Sequence, residues 1–185
     1  MHSLLKSHFG YHQWAYNRLL TLLTEMPYES YRGNSGLCFR SVHGTLNHLL
    51  LGDRLWLDRL KGATATPSHA SILSYWTQPE LYATKESKSI YWEEYIEDRN
   101  ELEVAIREQC RLFREYIDAL EEIPETFQYD RKGEVIVKPF VTTLLHIVNH
   151  GTHHRGQITA AMFAAGLAPP SLDLLYYDPS AVVGF

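Results

Sequence analysis

Four stretches of the chain place apolar residues at the three-to-four-residue spacing of an amphipathic helix. They cover residues 3–25, Val42–Leu60, Ser89–Ile123 and the segment from Pro139 to about Gly166. Each stretch stops beside a residue that commonly ends a helix, namely Pro27, Gly62, Pro124 and Gly166. Ser41 is placed to cap the second helix, and Pro139 opens the fourth where helices accept proline. The pattern predicts four long helices.

The connections between these stretches differ in character. Residues 28–40 are rich in Tyr, Ser, Gly and Asn and predict a loop. Residues 61–85 predict a long connection with a short helix at 78–84.

Near the C-terminus, Phe127–Val137 alternates around Lys132 and Gly133 and predicts a small β-hairpin. Ser171–Asp178, after two prolines, predicts a short C-terminal helix or turn. The whole chain, residues 1–185, is expected to form a single all-α domain, a four-helix bundle with long connections.

Composition excludes several classes of protein. The chain has a net charge of −5 and no cluster of Lys or Arg, so nucleic acid is a poor partner. No signal peptide and no apolar run of about 20 residues is visible, so we expect no membrane span. Cys38 and Cys110 are far apart and form no CxxC motif, which favours a reduced, cytoplasmic protein.

The fourth predicted helix carries four of the ten histidines within nine residues, His146, His150, His153 and His154. At about 100° per residue, His154 lies inside the arc of apolar side chains and His150 at its edge. His146 and His153 lie towards the polar arc. An i, i+4 pair stacks one turn apart, as in helical His pairs that hold zinc, so His150 and His154 are candidate metal ligands.

A third ligand is needed, and the second helix offers one. His48 lies within the apolar arc of Val42–Leu60, and Gly52, one turn later, would leave space over its ring. His43 falls on the opposite side, with polar residues, and is predicted to lie at the surface. The sequence therefore predicts a metal site of His48, His150 and His154.

Other polar residues on apolar faces leave alternatives open. His8 and His12 form an i, i+4 pair on the first helix, either a rival metal pair, neighbours of the site, or histidines bonded to buried polar groups. Asp53 faces the apolar arc, where an unpaired carboxylate is costly. We hypothesise an ion pair between Asp53 and Arg155.

Three imidazoles would leave a coordination position for water or substrate, which is typical of catalytic zinc and also suits nickel, iron or copper. Such a metal acts as a Lewis acid or lowers the pKa of a bound water or thiol. The sequence has no Glu-x-x-His pair of the di-iron bundles, no His-Glu-x-x-His motif of zinc proteases and no glycine-rich phosphate loop.

These motifs resemble those of the DinB superfamily, over almost the whole chain. The matching segments are Tyr11–Leu20, where Tyr16 replaces a usual Asn, Thr45–Trp56, Lys132–Glu134, His146–Gln157, and Gly166 with Pro169, Pro170, Asp173 and Leu174. The resemblance implies a four-helix bundle, frequently dimeric, whose divalent metal (zinc, nickel or iron) is bound by His48, His150 and His154.

Some members of that superfamily are transferases or isomerases that use low-molecular-weight thiols such as bacillithiol or mycothiol. The resemblance thus implies a small-molecule substrate, a homodimer and thiol S-transfer in detoxification or stress response. His146, His153, Gln157 or His12 would orient substrate or act as acid or base. The alternatives are a metal-dependent hydrolase and a non-catalytic metal-binding stress protein.

Overall fold

The computed structural model describes residues 1–62 and 91–181 of the chain. Its long helices are α1 (His2–Leu23), α3 (Val42–Leu60), α4 (Arg99–Asp118) and α5 (Phe140–Ala164), and a short helix, α2 (Tyr28–Arg32), follows α1. Helices α1 and α3 each pack against both α4 and α5. They therefore form a bundle in which α1 lies diagonally opposite α3, and the predicted all-α fold is confirmed.

Capping side chains explain where two of the long helices begin. Ser41 caps α3 as predicted, because its hydroxyl accepts a 2.9 Å hydrogen bond from the Gly44 amide. The Asp98 carboxylate accepts bonds from the amides of Asn100 and Glu101, so α4 begins at Arg99. The predicted helix over Ser89–Ile123 was therefore too long at both ends. The short helix predicted at 78–84 lies outside the described residues.

The predicted third helix began too early because the segment before α4 has apolar residues at helical spacing but does not form a continuous helix. Residues Tyr91–Glu93 form a single 3₁₀ turn and residues 94–96 form bends. Tyr95 and Ile96 pack against the bundle core from outside it. Their apolar spacing reflects contact with α3 rather than one face of a continuous helix.

The loop predicted over residues 28–40 was wrong for its first part, which forms α2. Pro27 occupies the N-cap position, and the buried Tyr31 ties this one-turn helix to the core. Burial of one aromatic ring thus stabilises a helix in a segment too short to show a clear helical pattern in its sequence.

The predicted hairpin is confirmed. Strands β1 (Thr126–Arg131) and β2 (Glu134–Pro139) pair antiparallel, with Arg131 opposite Glu134. Lys132 and Gly133 have φ angles of 56° and 83°, as expected for a two-residue type I′ turn. The hairpin leads directly into α5.

The segment Ser171–Asp178, predicted as a short helix or turn, contains the 3₁₀ turn Leu174–Tyr176. A second 3₁₀ turn, Pro179–Ala181, follows it.

The bundle core consists of two apolar halves with a polar layer between them. One half gathers the C-terminal part of α1, the N-terminal parts of α3 and α4, and the end of α5. The other half gathers the remaining ends of the same four helices. Between them lie the buried polar side chains of His12, His48, Asp53, His154 and Arg155. The polar layer is therefore the part of the core that needs a chemical explanation.

His43 was predicted to be a surface residue, and this was wrong, because its side chain is fully buried. Its Nδ1 lies 3.1 Å from the Tyr31 hydroxyl and its Nε2 lies 2.8 Å from the Ile96 carbonyl oxygen. One turn later, the Asn47 side chain bonds both the amide and the carbonyl of Ile96. The polar side of α3 faces the backbone of the segment before α4 rather than water.

None of the helices within residues 1–62 and 91–181 combines the length and the apolar character that crossing a membrane requires.

Replacing His43 with Gln should reduce the acid sensitivity of the fold. Burial lowers the pKa of His43 to about 4, whereas an unfolded chain has an ordinary histidine pKa of about 6.5. As the pH falls from about 6.5 towards 4, the unfolded chain takes up a proton that the folded protein refuses, so stability is lost across this range. Urea unfolding from pH 7 to pH 4.5 should give a shallower decline for His43→Gln than for the wild type.

The matched control is His8→Gln, a change at a partly exposed histidine of α1. An unchanged slope for His43→Gln would contradict the assignment of His43 as a buried, neutral imidazole.

Candidate metal centre

Three histidines from two helices converge at the edge of the polar layer. His48 comes from α3, and His150 and His154 come from successive turns of α5. One ring nitrogen from each lies within 4.8 Å of the others, and the Nε2 atoms of His48 and His150 are 3.1 Å apart. The structure thus brings together the three histidines that the sequence predicted, as a group that can hold a metal ion.

Burial keeps these imidazoles uncharged. Burial, together with a smaller effect of the neighbouring histidines, lowers the pKa of His48 to about 2 and the pKa of His150 to about 3. Burial also lowers the pKa of His154. Neutral imidazoles present lone pairs, which is the state a metal ligand requires.

The spacing of the donor atoms fits a small transition metal. Two imidazole nitrogens bound to one tetrahedral zinc, each at ~2.05 Å, lie ~3.3 Å apart. The observed 3.1 Å between the Nε2 atoms of His48 and His150 is close to that value. A donor set made only of imidazole nitrogen suits zinc, nickel, iron or copper better than calcium or magnesium.

A second layer of contacts orients His154. Its Nδ1 lies 2.8 Å from the Gln157 side-chain oxygen, so an Nδ1–H donates there and leaves Nε2 for the histidine group. The other end of the same amide lies 3.4 Å from Nε2 of His153. This arrangement matches the outer partners that usually fix the ring of a metal-bound histidine.

An aromatic wall covers one side of His48. The Phe39 ring stacks on the His48 ring with centroids 3.8 Å apart and planes 16° from parallel. The Trp92 ring meets both of them edge-on, at 5.1 Å each. Phe39 and Trp92 are both buried, so this wall holds the His48 ring in place and keeps water from that face.

A buried carboxylate fixes the aromatic wall. Glu93, next to Trp92, is 2% exposed and pairs with Arg40 at 2.8 Å and with Arg32 at 3.3 Å. It also accepts a bond from the Ser41 hydroxyl, at the N-cap of α3. Two guanidinium groups offset the cost of burying this charge. Phe39, Trp92 and Glu93 were not predicted as part of the site, because Trp92 and Glu93 fell within the overlong predicted helix and Phe39 lay in a predicted loop.

Three of the four residues predicted to orient substrate or to act as acid or base surround the group. His146 is exposed, stacks on His150 at 5.8 Å and meets Trp56 edge-on. His153 is also exposed, with its ring 4.8 Å from that of His154. Gln157 contacts His154 as described above.

His12, the fourth candidate, lies deeper in the bundle and is not part of the group. Burial is the main cause that lowers its pKa. Among the described residues, neither His8 nor His12 belongs to a group of three or more converging metal-ligating side chains. The Nδ1 of His8 bonds the Leu4 carbonyl oxygen of its own helix.

Asp53 and Arg155 do not form the direct ion pair that we hypothesised. The His12 ring lies between the two charges, with Nε2 3.5 Å from the Asp53 carboxylate and Nδ1 3.4 Å from the Arg155 guanidinium. The expected role of Gly52 was wrong, because a Cβ built there would contact no atom of His48. It would meet only the His150 ring, at 3.5 Å, which is an ordinary van der Waals distance.

The group contains three ligands and no fourth His, Cys, Asp or Glu among residues 1–62 and 91–181. Such a set leaves at least one coordination position for a small molecule, which distinguishes catalytic from closed structural zinc sites.

Comparison with known proteins identifies the family of this chain. The model of the DinB family matches residues 1–181. Protein DinB of Bacillus subtilis (strain 168) is 30% identical over 170 residues, which are 91% of this chain and 90% of that protein. The chain belongs to the DinB family.

Proposed function

We propose that this protein is a metal-dependent transferase that joins a low-molecular-weight thiol to an electrophilic small molecule. The observation that carries the proposal is the convergence of three neutral imidazoles with no fourth protein ligand among the described residues. A divalent transition metal, when bound, supplies Lewis acidity and favours the thiolate form of a coordinated thiol. His48, His150 and His154 would hold it.

The charge of the ligand set favours an anionic sulfur ligand over a neutral one. Three uncharged imidazoles leave the full charge of a divalent ion uncompensated, since the group includes no carboxylate or cysteine. The Phe39 and Trp92 rings add an apolar wall beside His48, which strengthens an electrostatic attraction by excluding water. Both features suit a soft, singly charged thiolate.

The reaction proposed is a nucleophilic substitution or addition. The thiol sulfur forms a bond to the electrophilic carbon. In a substitution the leaving group departs with the bonding electron pair, and in an addition the π electron pair moves to the acceptor atom, which then takes up a proton. The thiol proton passes to a nearby base. His146 and His153 are exposed and lie beside His150 and His154, respectively, so each is placed to accept that proton or to orient the substrate.

Replacing His150 with Ala should weaken metal binding by more than about 100-fold, because it removes one of three ligands and not merely an outer partner. Replacing His153 with Ala should change the affinity only a few-fold, because His153 lies outside the group of converging nitrogens. Competition with a chromogenic chelator, on protein purified without an affinity tag, measures both affinities. Equal effects of the two substitutions would contradict the ligand assignment.

Thiol transfer is tested by turnover. Protein loaded in turn with zinc, nickel or iron is incubated with bacillithiol, mycothiol or glutathione and with monochlorobimane, and the fluorescent thioether is measured. We expect turnover with at least one pairing of metal and thiol, and a loss of at least ~10²-fold in His48→Ala. His8→Ala, a change on α1 outside the histidine group, is the matched control.

The same preparations separate the proposal from its rivals. Turnover no higher than that of His48→Ala with every metal and thiol would overturn the transferase proposal. If the metal-loaded protein instead hydrolysed ester substrates in a His48-dependent way, the water-activating alternative would replace it. Tight metal binding without either activity would indicate a metal-binding protein.

A further inference from the structure

Behind the histidine group, three side chains form a buried polar chain that joins three helices. Asp53 of α3, His12 of α1 and Arg155 of α5 are 3%, 1% and 1% exposed. The His12 ring bridges the other two, with Nε2 3.5 Å from Asp53 Oδ2 and Nδ1 3.4 Å from Arg155 Nη1. This buried polar chain of Asp53, His12 and Arg155 therefore crosses the middle of the bundle, between the two apolar halves of the core.

The bridge makes the burial of two charges tolerable. An isolated charge in a protein interior is costly, and breaking a buried pair typically costs several kcal/mol. Within residues 1–62 and 91–181, no carboxylate lies within ion-pair distance of Arg155. Its guanidinium otherwise contacts the Thr152 hydroxyl and the faces of the Tyr11 and Tyr16 rings. Asp53 is a buried carboxylate that is joined to Arg155 through the His12 ring.

The hydrogen-bonding capacity of the neighbours determines which ring nitrogen of His12 carries the proton. Arg155 can only donate, so Nδ1 of His12 must be the acceptor. The ring proton then lies on Nε2, which is 3.5 Å from Asp53 Oδ2 and makes an electrostatic contact there rather than a well-formed hydrogen bond. One neutral tautomer therefore suits both neighbours, with a hydrogen bond accepted from Arg155 and the N–H side of the ring towards Asp53.

Two glycines lie between the buried polar chain and the histidine group. Gly151 directly follows His150, and a Cβ built there would lie only 2.7 Å from His12 Cε1 and from Arg155 Nη1. Gly52 directly precedes Asp53 and faces the His150 ring. The backbone of α5 at His150 is thus packed against His12 on one side, and the His150 ring is packed against α3 on the other.

We propose that His12 is a positioning residue for the metal centre. By joining Arg155 to Asp53 it sets the rotation and distance of α5 relative to α3, and hence the convergence of His150 and His154 on His48. The inference rests on the proposed function only in that the three histidines bind a metal, and it does not depend on thiol chemistry.

Co²⁺ binding tests this role, because the visible spectrum of the ion reports the geometry of its ligands. His12→Leu removes both the acceptor and the donor and should lower Co²⁺ affinity by about 10- to 100-fold, with altered absorption bands. His12→Gln keeps one acceptor and one donor on a flexible side chain, so it should recover most of the affinity and the wild-type spectrum. His8→Leu, one turn earlier on α1, should match the wild type.

Thermal unfolding of the metal-free variants is measured in parallel. If His12→Leu is destabilised but binds Co²⁺ with the wild-type affinity and spectrum, His12 has a structural role only and the proposal is wrong. If His12→Leu does not fold, Asp53→Asn, which removes one charge and keeps the shape, takes its place with the same expected loss. An Asp53→Asn protein that matched the wild type would likewise overturn the proposal.

Failure of the metal centre is distinguishable from failure of the positioning role. A wild-type protein that binds no Co²⁺ would refute the metal centre and this inference with it. A wild-type protein that binds Co²⁺ but transfers no thiol would refute only the transferase proposal.

Discussion

The approach of two uncharged imidazoles, with Nε2 of His48 and Nε2 of His150 only 3.1 Å apart inside a helical bundle, is the constraint on which the rest of the structure depends. Two ring nitrogens that face each other without charge either share one proton or direct two lone pairs at a third atom. With Nε2 of His154 beside them, the second arrangement is the one that a metal ion completes. The helices and the aromatic wall both act to hold these nitrogens together.

Positioning comes from both sides of the histidine group. On the solvent side, Glu93 and its two arginines hold Trp92 against Phe39 and His48, so the segment before α4 forms part of the site. On the core side, the bridge through His12 ties α5 to α1 and α3. Each of these two charged groups is buried at some cost in stability, and each contacts residues beside the three converging histidines. The polar layer of this bundle is therefore best understood as the support of its site.

The spacing of apolar residues was enough to predict the four helices, because each helix buries one face along its length. The hairpin was predicted from the alternation around Lys132 and Gly133, although its second strand has no buried residue. The apolar spacing also selected His48, His150 and His154, since these histidines share faces with core residues. It could not show which segments pack on the outer faces. His43 and Asn47 were predicted to face solvent, but both bond the backbone of Ile96. The bridging position of His12 depends on the packing of three helices that are distant in sequence. Periodicity describes one helix at a time, whereas these features belong to pairs and triples of elements.

The central claim, that His48, His150 and His154 bind one metal ion, is tested most directly by X-ray absorption at the metal edge. The sample is protein purified without an affinity tag and without added thiol, with the metal content measured on the same preparation. The account predicts about one metal per chain, and a first shell with the scattering of three imidazole rings plus a light atom from solvent. Fewer than three imidazoles, or a spectrum unchanged in His48→Ala, would contradict it.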